Sequence, residues 1–100
     1  MSNSKTTATN NRTAIVNMEE EYMRLQIDYI EPEDRTEICA NIDSIEKELD
    51  LYPEVIHKRN ENGGTYFVEF DKDIYLSSRI AGDFIEKLLK ALSIEHCEES

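Results

Sequence analysis

The strongest hydrophobic pattern in the chain lies near its C-terminus, in residues 77–95. Apolar side chains recur there every three or four positions, which places them on one face of an α-helix. This stripe is predicted to face the core and consists of Ile80, Phe84, Leu88, Ala91 and Leu92. Ile85 and Leu89 lie beside the stripe and widen the apolar surface beyond what one sheet would cover. We therefore expect part of this helix to need a partner after the domain has folded.

Residues 22–30 predict a β-strand, because apolar and polar side chains alternate along them. One face would carry Met23, Leu25, Ile27 and Tyr29, and the other Arg24, Gln26 and Asp28. A strand with one buried and one wet face is typical of an antiparallel sheet that helices cover on a single side. Pro32 ends the strand, and Asp34 with Glu37 predicts an approximate capping box at the start of a helix.

The next helix is predicted to begin near Arg35 and to end before Pro53, since proline cannot continue a helix. Its buried stripe would be formed by Ile38, Ile42, Ile45 and Leu49. Beyond it, residues 54–59 and 66–70 predict two strands. Residues 60–64 between them readily accept the positive φ values of a turn, so the two strands should form a hairpin.

Phe67 is the unusual residue of this hairpin. The second strand carries Tyr66, Val68 and Phe70 on one face, and Phe67 falls on the opposite, wet face. An aromatic residue in that position can be harmless or a contact point, and we expect Phe67 to be a dimer contact. His57 is interpreted as a packed or half-exposed strand residue, because no serine or cysteine can be tied to it by sequence.

Together these elements predict an α+β fold of order β-α-β-β-α, a three-stranded antiparallel sheet with two helices packed on one face. Residues 1–20 are rich in Ser, Thr and Asn and predict a disordered tail. Residues 21–96 would form the single domain, and residues 97–100 a frayed acidic C-terminus. Three strands leave two sheet edges exposed, and the usual remedy is pairing with a copy or a homologue.

The composition is strongly acidic, with 22 acidic and 11 basic residues and a net charge of -11. Such a surface repels phosphate, so we expect no direct nucleic-acid binding. No apolar run approaches the roughly 18 to 20 residues of a membrane-spanning helix, and no signal peptide begins the chain. A soluble cytoplasmic protein is expected, with the nucleus as a second compartment in a eukaryote. Cys39 and Cys97 lack a CxxC partner, and His57 and His96 fall in different elements, so neither a metal nor a cofactor is expected.

Three stretches of the chain resemble the small dimerising, non-catalytic subunit of the KEOPS complex, also called EKC, the CTAG-type family. LQIDY at residues 25–29 is similar to its first strand, and EICANIDSIEKEL at residues 37–49 to its first helix. TYFVEFDKDIYLSSRIAGDFIEKLLKAL, residues 65–92, is similar to its last strand, acidic connection and long final helix. The resemblance covers about three quarters of the chain and consists of apolar and small residues without an invariant chemical motif.

The resemblance implies a scaffold that catalyses nothing itself. Such a subunit pairs through its sheet as a homodimer or heterodimer and uses its helices to hold the threonylcarbamoyltransferase subunit, supporting threonylcarbamoyladenosine formation on transfer RNA. The residues expected to bind that partner are Ile80, Phe84, Ile85, Leu88, Leu89 and Leu92.

The alternative is a small acidic inhibitor, a phage-type antagonist or nucleic-acid mimic that lies against the basic cleft of a nucleic-acid enzyme. The carboxylates available for that contact are Glu19, Glu20, Glu21, Glu46, Glu48 and Asp50. An enzyme is not expected, because no nucleophile, metal set or phosphate loop can be assembled from the chain.

Overall fold

The computed structural model describes residues 12–61, 63–77, 79–94 and 97–99. In chain order the elements are β1 (Arg12–Met18), β2 (Tyr22–Tyr29), α1 (Pro32–Leu49), β3 (Glu54–Arg59), β4 (Gly64–Asp71), α2 (Lys72–Ser77), α3 (Ile80–Ala91) and β5 (Cys97–Glu99). The strands form one sheet in the order β3-β4-β2-β1-β5. Its first four strands are antiparallel neighbours, and β5 joins β1 in parallel. The predicted α+β class with an antiparallel sheet is confirmed.

The strand β1 is the main departure from the predicted architecture. It pairs with β2 along its whole length, from Arg12 opposite Tyr29 to Met18 opposite Met23. A three-stranded sheet is therefore wrong, and the predicted disordered tail does not hold for residues 12–18, while residues 1–11 lie outside the described residues. The strand escapes sequence reasoning because its apolar cluster is short and only Ala14 within it is fully buried.

The alternation predicted for β2 and the predicted hairpin are confirmed. Residues on one side of β2 are buried and those between them are half-buried, and β3 pairs with β4 from Glu54 opposite Glu69 to Arg59 opposite Gly64. The glycines of the hairpin serve close packing and not a turn with positive φ, since no described glycine has one. A Cβ atom at Gly64 would lie 2.5 Å from the Lys58 carbonyl oxygen and 2.7 Å from the Tyr29 hydroxyl oxygen.

The helix α1 begins three residues earlier than predicted. Glu31 precedes the first turn and Pro32 is its first residue, a position where proline loses no hydrogen bond. Asp34 consequently lies inside the first turn, where it is buried and paired with Arg12, and it does not act as a cap. The stripe of Ile38, Ile42 and Ile45 is buried as predicted, and Leu49 packs against it from the border of the core.

The C-terminal segment differs from a single long helix. The short helix α2 comes first, Arg79 precedes α3, and α3 buries Ala81, Phe84 and Leu88 against the sheet. Residues 97–99 form β5, so the predicted frayed C-terminus does not hold for them, whereas residue 100 lies outside the described residues. The helices cover one side of the sheet, and the order β-β-α occurs twice, with β2 and β4 adjacent at the centre.

Candidate functional site

The side of the sheet away from the helices is the candidate site, and we call it the open face. Its side chains come from alternate positions of four antiparallel strands and are half-buried or exposed. The open face consists of Thr13, Ile15, Asn17, Tyr22, Arg24, Gln26, Asp28, Glu54, Ile56, Lys58, Thr65, Phe67 and Glu69. Strict alternation along β2 and β4 places these residues together, because successive side chains of a strand point to opposite faces.

A mostly apolar row crosses the middle of the open face. Ile56 lies opposite Phe67, Phe67 opposite Gln26, and Gln26 opposite Ile15, so the row spans all four antiparallel strands. All four side chains are half-buried, although the helices lie on the other side of the sheet. The row therefore offers a partner an apolar strip that is held in register by the sheet.

Arg24 is fastened beside this row by an acidic neighbour and two aromatic rings. Its Nη2 and Nε atoms lie 2.6 Å and 2.7 Å from Oε2 of Glu69. Its guanidinium carbon is 5.3 Å from the centroid of the Tyr22 ring and 4.9 Å from that of Phe67. These contacts restrict the rotamers of Arg24, so the open face is partly ordered before any partner arrives.

Phe67 lies between two cations. Besides Arg24, the ammonium of Lys58 is 5.7 Å from the centroid of its ring. The structure places this predicted dimer contact on β4, the second strand from the β3 edge of the sheet. Aromatic residues, phenylalanine among them, are enriched in protein interfaces, and the two cations hold this ring in place.

A polar row borders the apolar one. The Thr65 hydroxyl donates to Oδ1 of Asp28 at 2.6 Å, and Nε2 of Gln26 lies 3.2 Å from Oδ2 of the same carboxylate. On the other border, the charge of Arg24 is matched by Glu69. An apolar strip with polar residues on both sides has the composition of a protein-binding surface, with an apolar centre and a polar rim.

The six residues predicted to bind a partner through the last helix divide into two groups. Phe84 and Leu88 are 0% exposed and Leu92 is 1% exposed, so they are core residues and no partner reaches them in the folded chain. Ile80, Ile85 and Leu89 are half-buried, and the last two pack against the border of the core. The wide apolar face expected of α3 is thus largely used within the domain. The helices α1 and α2 lie beside α3, and Phe84 packs against Phe70 of β4.

The carboxylates named for an inhibitor lie at one end of the sheet. Glu19, Glu20 and Glu21 are exposed in the turn from β1 to β2, and α1 runs back to the same end. There Glu48 forms an ion pair of 2.9 Å with Lys87, and Asp50 follows the last turn of α1. Partial burial and the nearby charge of Asp43 raise the pKa of Glu46.

A polar aromatic cluster that sequence reasoning missed lies under α1, on the helix side of the sheet. Nε of Arg35 donates to the Tyr29 hydroxyl oxygen at 2.9 Å, and that hydroxyl lies 2.6 Å from Nε2 of His57. Arg35 can only donate, which leaves the Tyr29 hydroxyl able to donate its hydrogen bond to Nε2 of His57. In that arrangement the His57 ring is neutral and carries its own proton on Nδ1. The His57 ring stacks on Tyr66 with centroids 3.9 Å apart, and the Tyr66 hydroxyl donates to the Arg35 carbonyl oxygen at 3.2 Å.

Burial shifts the pKa values of two members of this cluster, His57 and Tyr66. It lowers the pKa of His57, with a further contribution from the positive charges of Arg35 and Arg59. It also raises the pKa of Tyr66 to about 12, ahead of the effect of the neighbouring Cys39. The hydrogen bonds run from one member to the next and join β2, β3 and β4 to α1. The cluster therefore stabilises the fold, and the cross-strand register of His57 and Tyr66 is the only signal that could have revealed it.

The described residues contain no group of three or more His, Cys, Asp and Glu side chains placed to hold a metal ion. His96, the neighbour of Cys97 in sequence, lies outside them. Across the same residues, no helix combines the length and the apolar character needed to cross a membrane. Comparison of the chain with known protein families, with curated proteins and with solved structures found no match. The resemblance to the dimerising KEOPS subunit accordingly stands on the three stretches quoted above.

Proposed function

We propose that this chain is a non-catalytic binding subunit that holds a protein partner against its open face. The observation that carries the proposal is the half-buried apolar row of Ile15, Phe67 and Ile56, which lies on the side of the sheet that the helices leave uncovered. Removing this apolar surface from water by binding a partner has a favourable free energy.

The contacts around the row favour binding over a merely solvated surface. Arg24 and Phe67 belong to residue types that are enriched in protein interfaces, and each is already restrained by its neighbours. A partner therefore meets side chains that have lost much of their rotamer freedom, which lowers the entropic cost of association.

The specific form of the proposal is the scaffold role implied by the sequence resemblance. The partner would be the threonylcarbamoyltransferase subunit, and the modified substrate of the assembly would be transfer RNA. The three stretches that carry the resemblance correspond to β2, to most of α1, and to β4 with α2 and α3. The contact surface differs from the one the resemblance implies, because we assign it to the open face and not to α3.

Two matched substitutions test the location of the contact. We expect Phe67→Asp to weaken capture of a purified threonylcarbamoyltransferase subunit by at least about 30-fold, the effect of losing one anchor residue. Leu89→Asp, a half-buried residue on the helix side, is the control and should leave capture within about threefold. Both variants are checked for an unchanged circular dichroism spectrum. Capture that is lost with Leu89→Asp and kept with Phe67→Asp would move the contact back to the last helix, and no capture by the unmodified chain would reject this partner.

The acidic end of the sheet supports a second candidate, the small inhibitor of a nucleic-acid enzyme. Exposed carboxylates from the β1–β2 turn and from the end of α1 share that end of the molecule. If they bind a basic cleft, Glu20→Lys combined with Glu48→Lys should abolish inhibition of a purified nuclease. Inhibition should also weaken steeply when the salt concentration rises from about 50 to about 500 mM, because salt screens the attraction between exposed charges. Inhibition that resists both changes would exclude this candidate.

A further inference from the structure

The outer edge of β3 is the feature of the fold that the proposed function does not use. β3 ends the sheet on one side, and its only described strand partner is β4, whereas β1 near the opposite edge is bordered by β5. The register of β3 with β4 runs without a break from Glu54 to Arg59, and no proline lies within it. Natural sheets usually protect an edge of this kind with a bulge, a proline or charged side chains, and the charges of β3 differ in sign between its ends, with Glu54 at the start and Lys58 and Arg59 at the end.

The hairpin geometry shows which backbone groups point outward from this edge. The Asn60 N–H donates to the Gly63 carbonyl at 3.1 Å, and the Gly63 N–H donates to the Asn60 side-chain oxygen at 2.9 Å, so Asn60 directs its backbone N–H across the hairpin. Residues that direct their backbone groups to the partner strand alternate along an antiparallel ladder, so Ile56 directs its backbone groups to β4. Val55, His57 and Arg59 then direct their N–H and C=O groups away from the sheet, where a further strand can bind them.

We propose that β3 pairs antiparallel with β3 of a second copy of this chain, with Ile56 opposite Ile56 of the copy. Residues whose backbone groups point outward must face each other across the new pair. The alternative registers are therefore those shifted from this one by two residues or a multiple of two. In the proposed register Glu54 faces Lys58 of the copy on the open face, and the same ion pair recurs across the two-fold axis. Val55 faces His57 of the copy, and this pair exchanges both backbone hydrogen bonds.

The neighbouring registers are chemically poorer. Centring the pair on His57 places Ile56 opposite Lys58 and Val55 opposite Arg59, so both apolar residues face charges. Centring it on Val55 places Pro53, which has no N–H, opposite His57 beside the centre of the ladder, whereas in the proposed register Pro53 faces Arg59 at the very end of the ladder. A parallel arrangement would align like charges and would not close about a two-fold axis. The charge order of β3, acidic at its start and basic at its end, thus selects one register.

This pairing deepens the proposed function, and it rests on that function for its purpose. It joins the open faces of two copies into one continuous surface. It also gives Val55, which is 37% exposed, a neighbour on the helix side. Phe67 lies one strand inside the junction and does not touch the second copy. Ile56 therefore replaces Phe67 as the dimer contact, and Phe67 stays free for a protein partner.

The test is the mass of the purified full-length chain, measured by sedimentation equilibrium across a range of concentrations. We expect a dimer for the unmodified chain. Glu54→Lys and Lys58→Glu should each weaken dimerisation by at least about tenfold, because each places like charges opposite one another. The double variant with both changes restores the complementary order and should recover the dimer. Glu61→Lys, an exposed loop residue next to the hairpin, is the control for the change in net charge and should leave the dimer intact.

A monomer at every concentration overturns the pairing, and so does a double variant that fails to recover the dimer after both single changes have dissociated it. Single variants that keep the unmodified mass place any dimer contact elsewhere. Circular dichroism of each variant separates lost pairing from lost folding. Capture of the protein partner is measured on the unmodified chain as well as on the variants. An unmodified chain that is monomeric and still binds the partner rejects the pairing and leaves the proposed function standing.

Discussion

The side chains on the two faces of the sheet are held in place by different kinds of contact. On the helix side, Leu25, Ile27 and Val68 are completely buried, and the helices supply the cover. On the open face, Phe67 and Arg24 are half-buried through sideways contacts with their cross-strand neighbours. The helix side is stabilised by the hydrophobic effect, which does not depend on the orientation of the side chains. The open face depends on ion pairs and cation–π contacts, which require a definite geometry and leave its aromatic rings accessible. A surface of the second kind can be ordered and still available to a partner.

Two arginines repeat the same contrast. Arg12, at the start of β1, donates to the Leu92 carbonyl at 2.9 Å and lies 3.3 Å from Asp34 and 3.0 Å from Glu37. It thereby ties the sheet to both α1 and the end of α3. Arg24 bridges neighbouring strands only, and its side chain is 33% exposed against 15% for Arg12. Similar ion pairs are thus expected to have different effects on stability.

The largest difference between the faces should appear when the same residue type is truncated on each. Phe84→Ala, which empties a site in the core next to Phe70, should lower the free energy of unfolding by about 3 to 5 kcal/mol. Phe67→Ala should lower it by less than about 1.5 kcal/mol, because water already reaches that ring. Urea denaturation followed by circular dichroism measures both, and equal losses would show that the open face belongs to the core.

A smaller contrast is expected for the arginines. Arg12→Ala leaves the buried carboxylate of Asp34 without this cation and should cost about 2 to 3 kcal/mol. Arg24→Ala removes a more exposed pair and should cost less than about 1 kcal/mol. The same denaturation measurement applies, and an Arg24 variant as unstable as the Arg12 variant would contradict the assignment of Arg24 to a binding surface.

The smallest effect concerns the helix side alone and depends on pH. The pKa of His57 lies below its ordinary value of 6.5 in the folded chain, so the unfolded chain takes up this proton first as the pH falls. The contribution of neutral His57 is fully present above pH 6.5 and declines below it. The glutamine of His57→Gln can still accept the Tyr29 hydrogen bond but cannot titrate. The thermal midpoint of this variant should therefore change less than that of the unmodified chain between pH 6.5 and about pH 5.5, a range that lies above the pKa values of most carboxylates. An identical decline in both proteins would contradict the neutral, hydrogen-bonded state of His57.

Which parts could be predicted depended on how local their cause is. Alternation along β2 and the three- and four-residue spacing in α1 are properties of a few consecutive residues. Both elements formed with their predicted buried sides, although α1 begins three residues earlier than predicted. β1 has no such regularity and is held by its pairing with β2, which no local pattern encodes. The spacing in α3 is also local, and its prediction that Phe84 and Leu88 face the core is confirmed. The short helix α2 before it was not predicted.

The amino-acid sequence by itself determined the type of most elements, the side of each that is apolar, and the strongly acidic balance of the chain, because these follow from periodicity and composition. The tertiary structure decided which apolar residues remain for a partner, since that depends on how many strands and helices compete to cover them. It also brought Arg24, Phe67 and Lys58 together from three strands, and joined Tyr29, Arg35 and His57 into one hydrogen-bonded cluster. Contacts between residues far apart in the chain require a definite strand register, and only the folded sheet supplies it.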